Sequence, residues 1–269
     1  MALHDLLIHL DDMDALNGFL PAVLAFARDR GVNAVTVTAV GAVAAPVTGA
    51  SLTLALVHAR EREMLDLLEL MRERTVEAAG ALRLEWRSAV LPEAAPRLSD
   101  WAVRSDLLVL REPLTRPGFL GSLDVGEVVL SAGRPVLIVP RSTRELRVEQ
   151  ALIGFKPTRE GRLALAAAAR LLAHGGHALI AAVGDGVTDR QLADARAFLE
   201  GHGVRVDTRL LDEEDDRDAG RVLLRVADEE RADLLVLGAY GRSRAREFVF
   251  GGATRTVLSQ ARLPCLMVH

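Results

Sequence analysis

The sequence predicts an α/β protein built from two tandem, doubly wound domains, each with a five-stranded parallel sheet. Two observations lead to this prediction. Short apolar runs alternate with longer amphipathic segments along the chain, and the order of these segments occurs twice. Strands that are apolar on both faces are typical of parallel sheets covered by helices on both sides. We predict domains at residues 1–142 and 148–269, joined by a polar linker.

The duplication is clearest at two nearly identical apolar runs. SDLLVL (105–110) and ADLLVL (232–237) begin 127 residues apart, and each precedes a loop, a helix-like segment and a closing apolar run. Each closing run follows a proline, and these prolines, Pro135 and Pro264, are 129 residues apart. Self-similarity at a fixed separation is the signature of a repeated structural unit. We therefore treat the chain as two copies of one plan.

Each copy alternates predicted strands and helices. In the second copy we predict strands at 150–155, 177–183, 204–211, 233–238 and 264–269, and helices at 159–174, 188–203, 219–232 and 253–262. Glycines follow the first two of these helices, as helix C-caps do. In the first copy we predict strands at 5–10, 33–40, 81–90 and 107–110, and a helix at 60–79. Ligands of such sheets bind beyond the carboxyl ends of the strands, at the topological switch point.

Composition and charge exclude several kinds of function. The formal net charge is −4 and the sequence contains no long basic stretch, which argues against nucleic acid as a partner. No stretch of 18 apolar residues occurs, and the N-terminus lacks the basic and small-residue parts of a signal peptide. With a single cysteine, Cys265, no internal disulfide can form, and its apolar strand predicts a buried thiol. These features predict a cytoplasmic protein without a membrane partner, and no histidine spacing predicts a metal site.

The loop GAYGRSRAREFVFGG (238–252) lies between an apolar run and a predicted helix. A glycine at 238 can adopt positive φ and lets a ligand approach the main chain. Free N–H groups at the following helix start attract an anion such as phosphate, and Thr254 adds a hydroxyl. The loop lacks the Gly-Lys-[Ser/Thr] ending of a Walker A motif, and a dinucleotide fingerprint would follow the first strand instead. A turn and helix start without any ligand is the alternative.

The glycine spacing resembles a family pattern. Gly238-x2-Gly241-x9-Gly251, placed after DLLVL and before a helix and PCLMVH, resembles the Gly-x2-Gly-x9-Gly-[Ser/Thr] pattern of the universal stress protein family. The resemblance covers about 150–269 well and the first copy more weakly, so the chain resembles a tandem member. It implies a Rossmann-like fold, an adenine nucleotide (ATP or AMP) as partner, and Mg²⁺ accompanying ATP. It also implies that the two halves pair as single-domain members pair in dimers. A homodimer of the whole chain is a further expectation.

Carried over by position, the resemblance implies a binding site in the second copy. On the phosphate side it includes Gly238, Gly241, Gly251, Gly252, Ala253 and Thr254. Arg242 and Arg244 lie in the same loop, and solvated loop charges are their alternative role. Val183 and Leu237 lie at strand ends, where Val183 would line an adenine pocket, with ordinary core packing as the alternative. No catalytic residue is implied.

The sequence departs from the family pattern in both copies. In the second copy, Gly252 replaces the Ser or Thr, and Lys156 replaces the acid expected after the first strand. Lysine has three donors and no acceptor, so it cannot copy the acid but can pair with a phosphate or another anion. In the first copy, Asp11 stands where the acid belongs, but Arg111 and Leu114 replace the first two glycines. This half is therefore predicted to be degenerate, with at most one site in the chain.

Three functions remain open from the sequence. The first is a stress-response regulatory protein that binds an adenine nucleotide or another anion in its second domain. The second is a protein-interaction scaffold that uses no nucleotide. The third is an enzyme, either a slow ATPase or a relative of the adenine-nucleotide α-hydrolases.

Overall fold

A computed structural model describes most of the chain. The described residues are 3–42, 51–113, 120–121, 123–172, 175–184, 186–211, 218–240 and 252–269, and for 51–56 the main chain alone. The strands are β1 (Asp5–His9), β2 (Ala34–Ala42), β3 (Arg83–Leu91), β4 (Leu107–Arg111), β5 (Val136–Val139), β6 (Gln150–Gly154), β7 (His177–Val183), β8 (Arg205–Leu211), β9 (Leu234–Gly238) and β10 (Cys265–Val268). The α-helices are α1 (Phe19–Asp29), α2 (Ser51–Ala79), α3 (Ala95–Trp101), α4 (Val125–Ser131), α5 (Arg159–Leu172), α6 (Asp189–Glu200), α7 (Ala219–Glu229) and α8 (Gly252–Gln260).

Within the described residues the strands form one ten-stranded sheet. Its order is β3-β2-β1-β4-β5-β10-β9-β6-β7-β8. We call β1–β5 the first half-sheet and β6–β10 the second half-sheet; all pairs inside each are parallel. The two half-sheets meet where β5 and β10 pair antiparallel, with Leu137 opposite Leu266. The predicted fold class, two tandem doubly wound units with five-stranded parallel sheets, is confirmed.

Helices cover both faces of the sheet. One apolar core contains buried residues of α1, α2, α5 and α6, and the other contains buried residues of α3, α4, α7 and α8. The central strands β1, β4, β9 and β6 are buried along almost their whole length. Continuous apolar runs therefore form the central strands because helices exclude water from both of their faces.

The same hydrogen bonds occur at equivalent positions in both half-sheets. The Asp106 carboxylate accepts from the main-chain N–H of His4 at 2.8 Å and of Asp5 at 3.2 Å. The Asp233 carboxylate accepts from Glu149 N–H at 2.9 Å and from Gln150 N–H at 3.0 Å. Each aspartate thus holds the start of the first strand of its half-sheet beside the fourth. The aspartate of the duplicated DLLVL run is a structural residue.

Contacts besides the β5–β10 pair join the two halves. Arg30, at the end of α1, donates to the main-chain carbonyls of Val148, at 2.8 Å, and of Leu171. Burial lowers the pKa of its guanidinium, and the carboxylates of Asp233 and Glu149 oppose this shift. Residues 141–149 connect the half-sheets, and Leu146 and Val148 in this segment are buried in the core.

Helices of the first half differ from the sequence-based expectations. The helix predicted at 60–79 begins at Ser51, and the bounds of α1 and α3 were not predicted. Strands and helices of the second half lie within a few residues of their predicted bounds. Among the described residues, no helix is both long and apolar enough to cross a membrane.

Candidate functional site

The second half-sheet has its topological switch point between β6 and β9. From β6 the chain continues through α5 to β7 on one side, while β9 lies on the other side of β6. Lys156 follows the end of β6, and Gly238 ends β9. The crevice beyond these carboxyl ends is the expected ligand position of an open α/β sheet. The N-terminus of α5 begins at the same edge.

The structural reason for a glycine at position 238 differs from the one considered from the sequence. A Cβ at this position would lie 2.6 Å from the carbonyl carbon of Glu160 and 2.7 Å from Gly161 N. Among the described glycines, those with positive φ do not include Gly238. Gly238 therefore does not use the positive φ that a glycine can adopt. Glycine is required here because the first turn of α5 lies directly on the end of β9.

A second glycine tightens the same junction. A Cβ on Gly161 would lie 2.0 Å from the main-chain oxygen of Lys156, which is closer than any side chain allows. The loop after β6, the first turn of α5 and the end of β9 are thus packed main chain against main chain. Thr158 holds the helix start, since its hydroxyl accepts the Gly161 N–H at 3.1 Å. The Lys156 side chain remains exposed.

Glu160 is the unexpected residue of this junction. It lies in the first turn of α5, its side chain is only 6% exposed, and its Oε2 has no hydrogen-bond partner among the described residues. Its other oxygen is 3.9 Å from a guanidinium nitrogen of the exposed Arg159. Buried carboxylates are normally paired, because loss of hydration is costly. The sequence showed only an acid in the first turn of a helix, a common pattern.

The start of α8 supplies the other side of the candidate site. Gly252 is exposed, and a Cβ there would meet no atom of the described residues within 4 Å. Ala253 is half-buried and Thr254 is buried. The first turn is anchored by α7, since a Cβ on Gly220 would lie 2.7 Å from the Ala253 carbonyl oxygen. The Thr256 hydroxyl donates to Asp218, the N-cap of α7.

The predicted residues Val183 and Leu237 belong to the apolar core. Each is 6% exposed, and both lie in the cluster that α7 and α8 cover. Leu237 packs over Gly154, where an added Cβ would meet its Cδ2 at 2.4 Å. Val183 and Leu237 are therefore core residues at the strand ends beside the switch point. Gly241, Arg242, Arg244 and Gly251, also predicted for the site, lie outside the described residues.

The corresponding position of the first half-sheet is occupied by its own side chains. Arg111, the last residue of β4, donates Nε–H to Asp11 Oδ1 at 2.8 Å, and its Nη2 also contacts Asp12. Arg141, just after β5, contacts both carboxylates, with 3.3 Å to Asp12 Oδ2. Two arginines thus neutralise two aspartates at the ends of β1, β4 and β5. The acid that the resemblance assigns to ligand binding has intramolecular partners.

His9 lies beneath this charged cluster. It is buried, and its Nδ1 is 3.4 Å from the Thr38 hydroxyl. Burial lowers the pKa of the imidazole from 6.5 to about 4, although the negative charge of Asp11 opposes the shift. At neutral pH the ring is therefore uncharged.

The described residues offer no metal centre or activated thiol. Within them, no group of three His, Cys, Asp or Glu side chains is arranged to hold a metal ion. Burial raises the pKa of the Cys265 thiol to about 12, so it is not a thiolate at neutral pH. The prediction that Cys265 is a buried, unreactive residue agrees with its 3% exposure.

The fold defines a class: tandem, doubly wound α/β proteins, whose ligands generally bind at a switch point of the sheet. Comparison with known protein families then identifies a particular family. The sequence profile of the universal stress protein family matches residues 148–269. The second half of the chain is therefore similar in sequence to this family. No curated protein matches the sequence.

Solved structures extend the similarity in fold to the whole chain. A universal stress protein from Archaeoglobus fulgidus DSM 4304 is 16% identical and covers 98% of this chain and 95% of its own, with a TM-score of 0.74. A universal stress protein from Pseudomonas aeruginosa UCBPP-PA14 is also 16% identical, over 99% of this chain and 93% of its own, with a TM-score of 0.59. A protein of unknown function from Pseudomonas aeruginosa PAO1 is 15% identical, over 99% and 92%, with a TM-score of 0.58. The two-half arrangement of the chain is thus the fold of these proteins.

Proposed function

We propose that this protein is a stress-response regulator whose second domain binds an adenine nucleotide or another anion. The observation that carries the proposal is the junction at the switch point, where the starts of α5 and α8 follow β6 and β9. Helix N-termini present free N–H groups and a favourable dipole to anions. The exposed Lys156 adds a positive charge beside the crevice.

The residues present fit the phosphate side of a nucleotide. An open position at Gly252 and main-chain donors at the start of α8 leave space and hydrogen bonds for an anion. ATP or AMP would supply the phosphate there, and the chain's own residues would bind and orient it. Mg²⁺ is proposed only as the companion of ATP, since the described residues contain no carboxylate group arranged for a metal.

The first domain has a structural role in this proposal. Its acid, Asp11, is bound by Arg111 and Arg141, so a ligand would have to displace two guanidinium groups. We therefore propose one binding site per chain and domains at 1–142 and 148–269. We also propose a cytoplasmic location and a homodimer of the whole chain.

The only lysine of the chain allows a direct test. Lys156 is the single lysine, so acylation of side-chain amines by N-hydroxysuccinimide acetate reports on the crevice alone. We expect ATP and inorganic tripolyphosphate to slow acylation of Lys156, measured by mass spectrometry, with the α-amino group as the reference. Equal acylation with and without both anions, together with no heat of binding in calorimetry, would refute the proposal.

A nucleotide-independent scaffold is the second candidate. It is favoured by the occupied first-half position and by Lys156 in place of an acid. Extraction of the freshly purified protein and mass spectrometry separate the two functions. A co-purifying adenine nucleotide excludes the scaffold, whereas its absence together with no binding of added ATP supports it.

A further inference from the structure

We propose that Glu160 is the residue that selects nucleotides over inorganic polyphosphates, by accepting a hydrogen bond from the nucleoside part of the ligand. The inference rests on the proposed function, because it concerns the same crevice. Nothing in the sequence pattern pointed to this residue. The burial of Glu160 and its position at the switch point identify it.

The location of Glu160 follows from its main-chain contacts. Its carbonyl carbon is the atom nearest to a Cβ built on Gly238, at 2.6 Å, so the residue lies at the end of β9. The next residue, Gly161, lies against the Lys156 carbonyl oxygen, at the end of β6. Glu160 therefore sits between the two strand ends that define the switch point.

The carboxylate of Glu160 is incompletely bonded. Its side chain is 6% exposed and Oε2 has no partner in the described part of the chain. A buried polar atom without a partner costs about 1–3 kcal/mol, and more when it is charged. Elsewhere in the described part of the chain, carboxylates that are only partly buried are bonded: Asp233 accepts from two main-chain N–H groups, and Asp11 pairs with Arg111. Among the described residues this nearly buried acceptor beside two strand ends has no partner, which leaves it for a hydrogen-bond donor of a ligand.

The chemistry of the ligand follows from this acceptor. A carboxylate accepts hydrogen bonds from hydroxyl or amine groups and repels phosphate oxygens. A nucleotide can satisfy both requirements, because its ribose or base donates to Glu160 while its phosphates meet the start of α8 and Lys156. An inorganic polyphosphate has no such donor and receives only the repulsion. Glu160 thus favours the anion that carries a nucleoside. It supplies the hydrogen-bond acceptor that the Lys156 side chain lacks.

The test compares two ligands on matched variants of the full chain. Binding of ATP and of tripolyphosphate is measured by calorimetry at constant ionic strength for the wild type, Glu160→Gln and Glu229→Gln. Glu229 is an exposed acid at the end of α7 and serves as the control. We expect Glu160→Gln to weaken ATP about tenfold or more, the value of one hydrogen bond to a charged group. Tripolyphosphate should bind this variant as well as the wild type or more tightly.

Each other outcome is decisive. If Glu160→Gln changes both affinities by the same factor, or leaves ATP unchanged, the role of Glu160 is refuted while the anion site stands. If the wild type binds neither ligand, the proposed function fails and this inference fails with it. The wild type alone gives an independent test that needs no folded variant. 2′,3′-Dideoxy-ATP lacks the ribose hydroxyls, and ITP lacks the adenine amine. The wild type should bind at least one of these analogues more weakly than ATP. Equal binding of all three nucleotides refutes the inference.

Discussion

Arg111 donates its Nε–H to Asp11 Oδ1 at 2.8 Å, although the two residues are 100 positions apart in the sequence. The Arg111 side chain is 5% exposed and Asp11 is 18% exposed, so water screens this pair little. With Asp12 and Arg141 the pair forms a cluster of two positive and two negative charges. The cluster ties together the ends of three strands in the first half-sheet.

The first prediction concerns this cluster. Arg111→Ala leaves two partly buried aspartates with one arginine, and we expect it to lower the free energy of unfolding by about 2–3 kcal/mol. Denaturant unfolding followed by circular dichroism measures the change. Arg60→Ala, in an exposed pair on α2, is the control and should change stability by less than about 0.5 kcal/mol. Equal effects of the two substitutions would contradict the prediction.

The second prediction uses two glycines of the candidate site. Gly238→Ala places a methyl group 2.6 Å from the Glu160 carbonyl carbon, which forces main chain apart, so we expect a loss of about 1–3 kcal/mol. Gly252→Ala enters open space and should cost nothing or stabilise α8 slightly. Thermal unfolding of the two variants measures the difference. A Gly238 variant that melts like the wild type would show that α5 can move away from β9.

The third prediction restores a hydroxyl at the start of α8. A Cβ at residue 252 meets no atom of the described residues within 4 Å, and Gly252→Ser adds a hydroxyl donor beside the main-chain N–H groups. A neutral hydrogen bond contributes about 0.5–1.5 kcal/mol, so tripolyphosphate should bind about two- to tenfold more tightly. Gly252→Ala controls for the loss of glycine flexibility. Identical affinities of the serine and alanine variants would place the anion away from residue 252.

The fourth prediction is a pH dependence caused by His9. Its pKa is about 4 in the folded protein and 6.5 in the unfolded chain, so between these values the unfolded state binds a proton that the native state does not. Stability from this group is complete above pH 6.5 and is lost as the pH falls towards 4. The loss between pH 7.5 and pH 5 should be about 2 kcal/mol.

Denaturant unfolding at these two pH values tests the role of His9 against a variant. His9→Gln removes the titrating ring and keeps a polar side chain that can bond to Thr38, so its stability should fall less over the same interval. A pH dependence identical to that of the wild type would assign the effect to other groups.

The extent of sequence-based prediction differs between the fold and the site. The central strands were predictable because helices bury both faces of a parallel strand, so these strands are largely apolar runs. The edge strands β3 and β8 contain charged residues and are partly exposed. The helix α1 was missed, since FLPAVLAFARD carries a proline and a nearly continuous apolar surface rather than a clear polar face. The helix α2 was shortened for a similar reason, because its first residues, SLTLALVHA, show no capping signal.

For the site, the glycine spacing pointed to the loop after β9, in the half of the chain that the family profile matches. It did not indicate why Gly238 is a glycine, because the main chain of Glu160 reaches it only after β6 and β9 pair. Nor did it distinguish Glu160 from the many acids that begin helices. Burial of that carboxylate depends on the contact between α5 and the sheet, which no local pattern encodes.

Local chemistry and periodicity along the chain were sufficient for the duplication, the fold class and the family resemblance, because apolar runs and glycine spacings are short-range properties. Charge pairing was decided by tertiary structure. Asp11 looked like a ligand-binding acid until the folded chain brought Arg111 and Arg141 onto it. Glu160 looked like an ordinary helix-start acid until packing removed it from water without giving Oε2 a partner among the described residues. Both outcomes depend on which groups share a buried volume, and only the assembled sheet and its helices determine that.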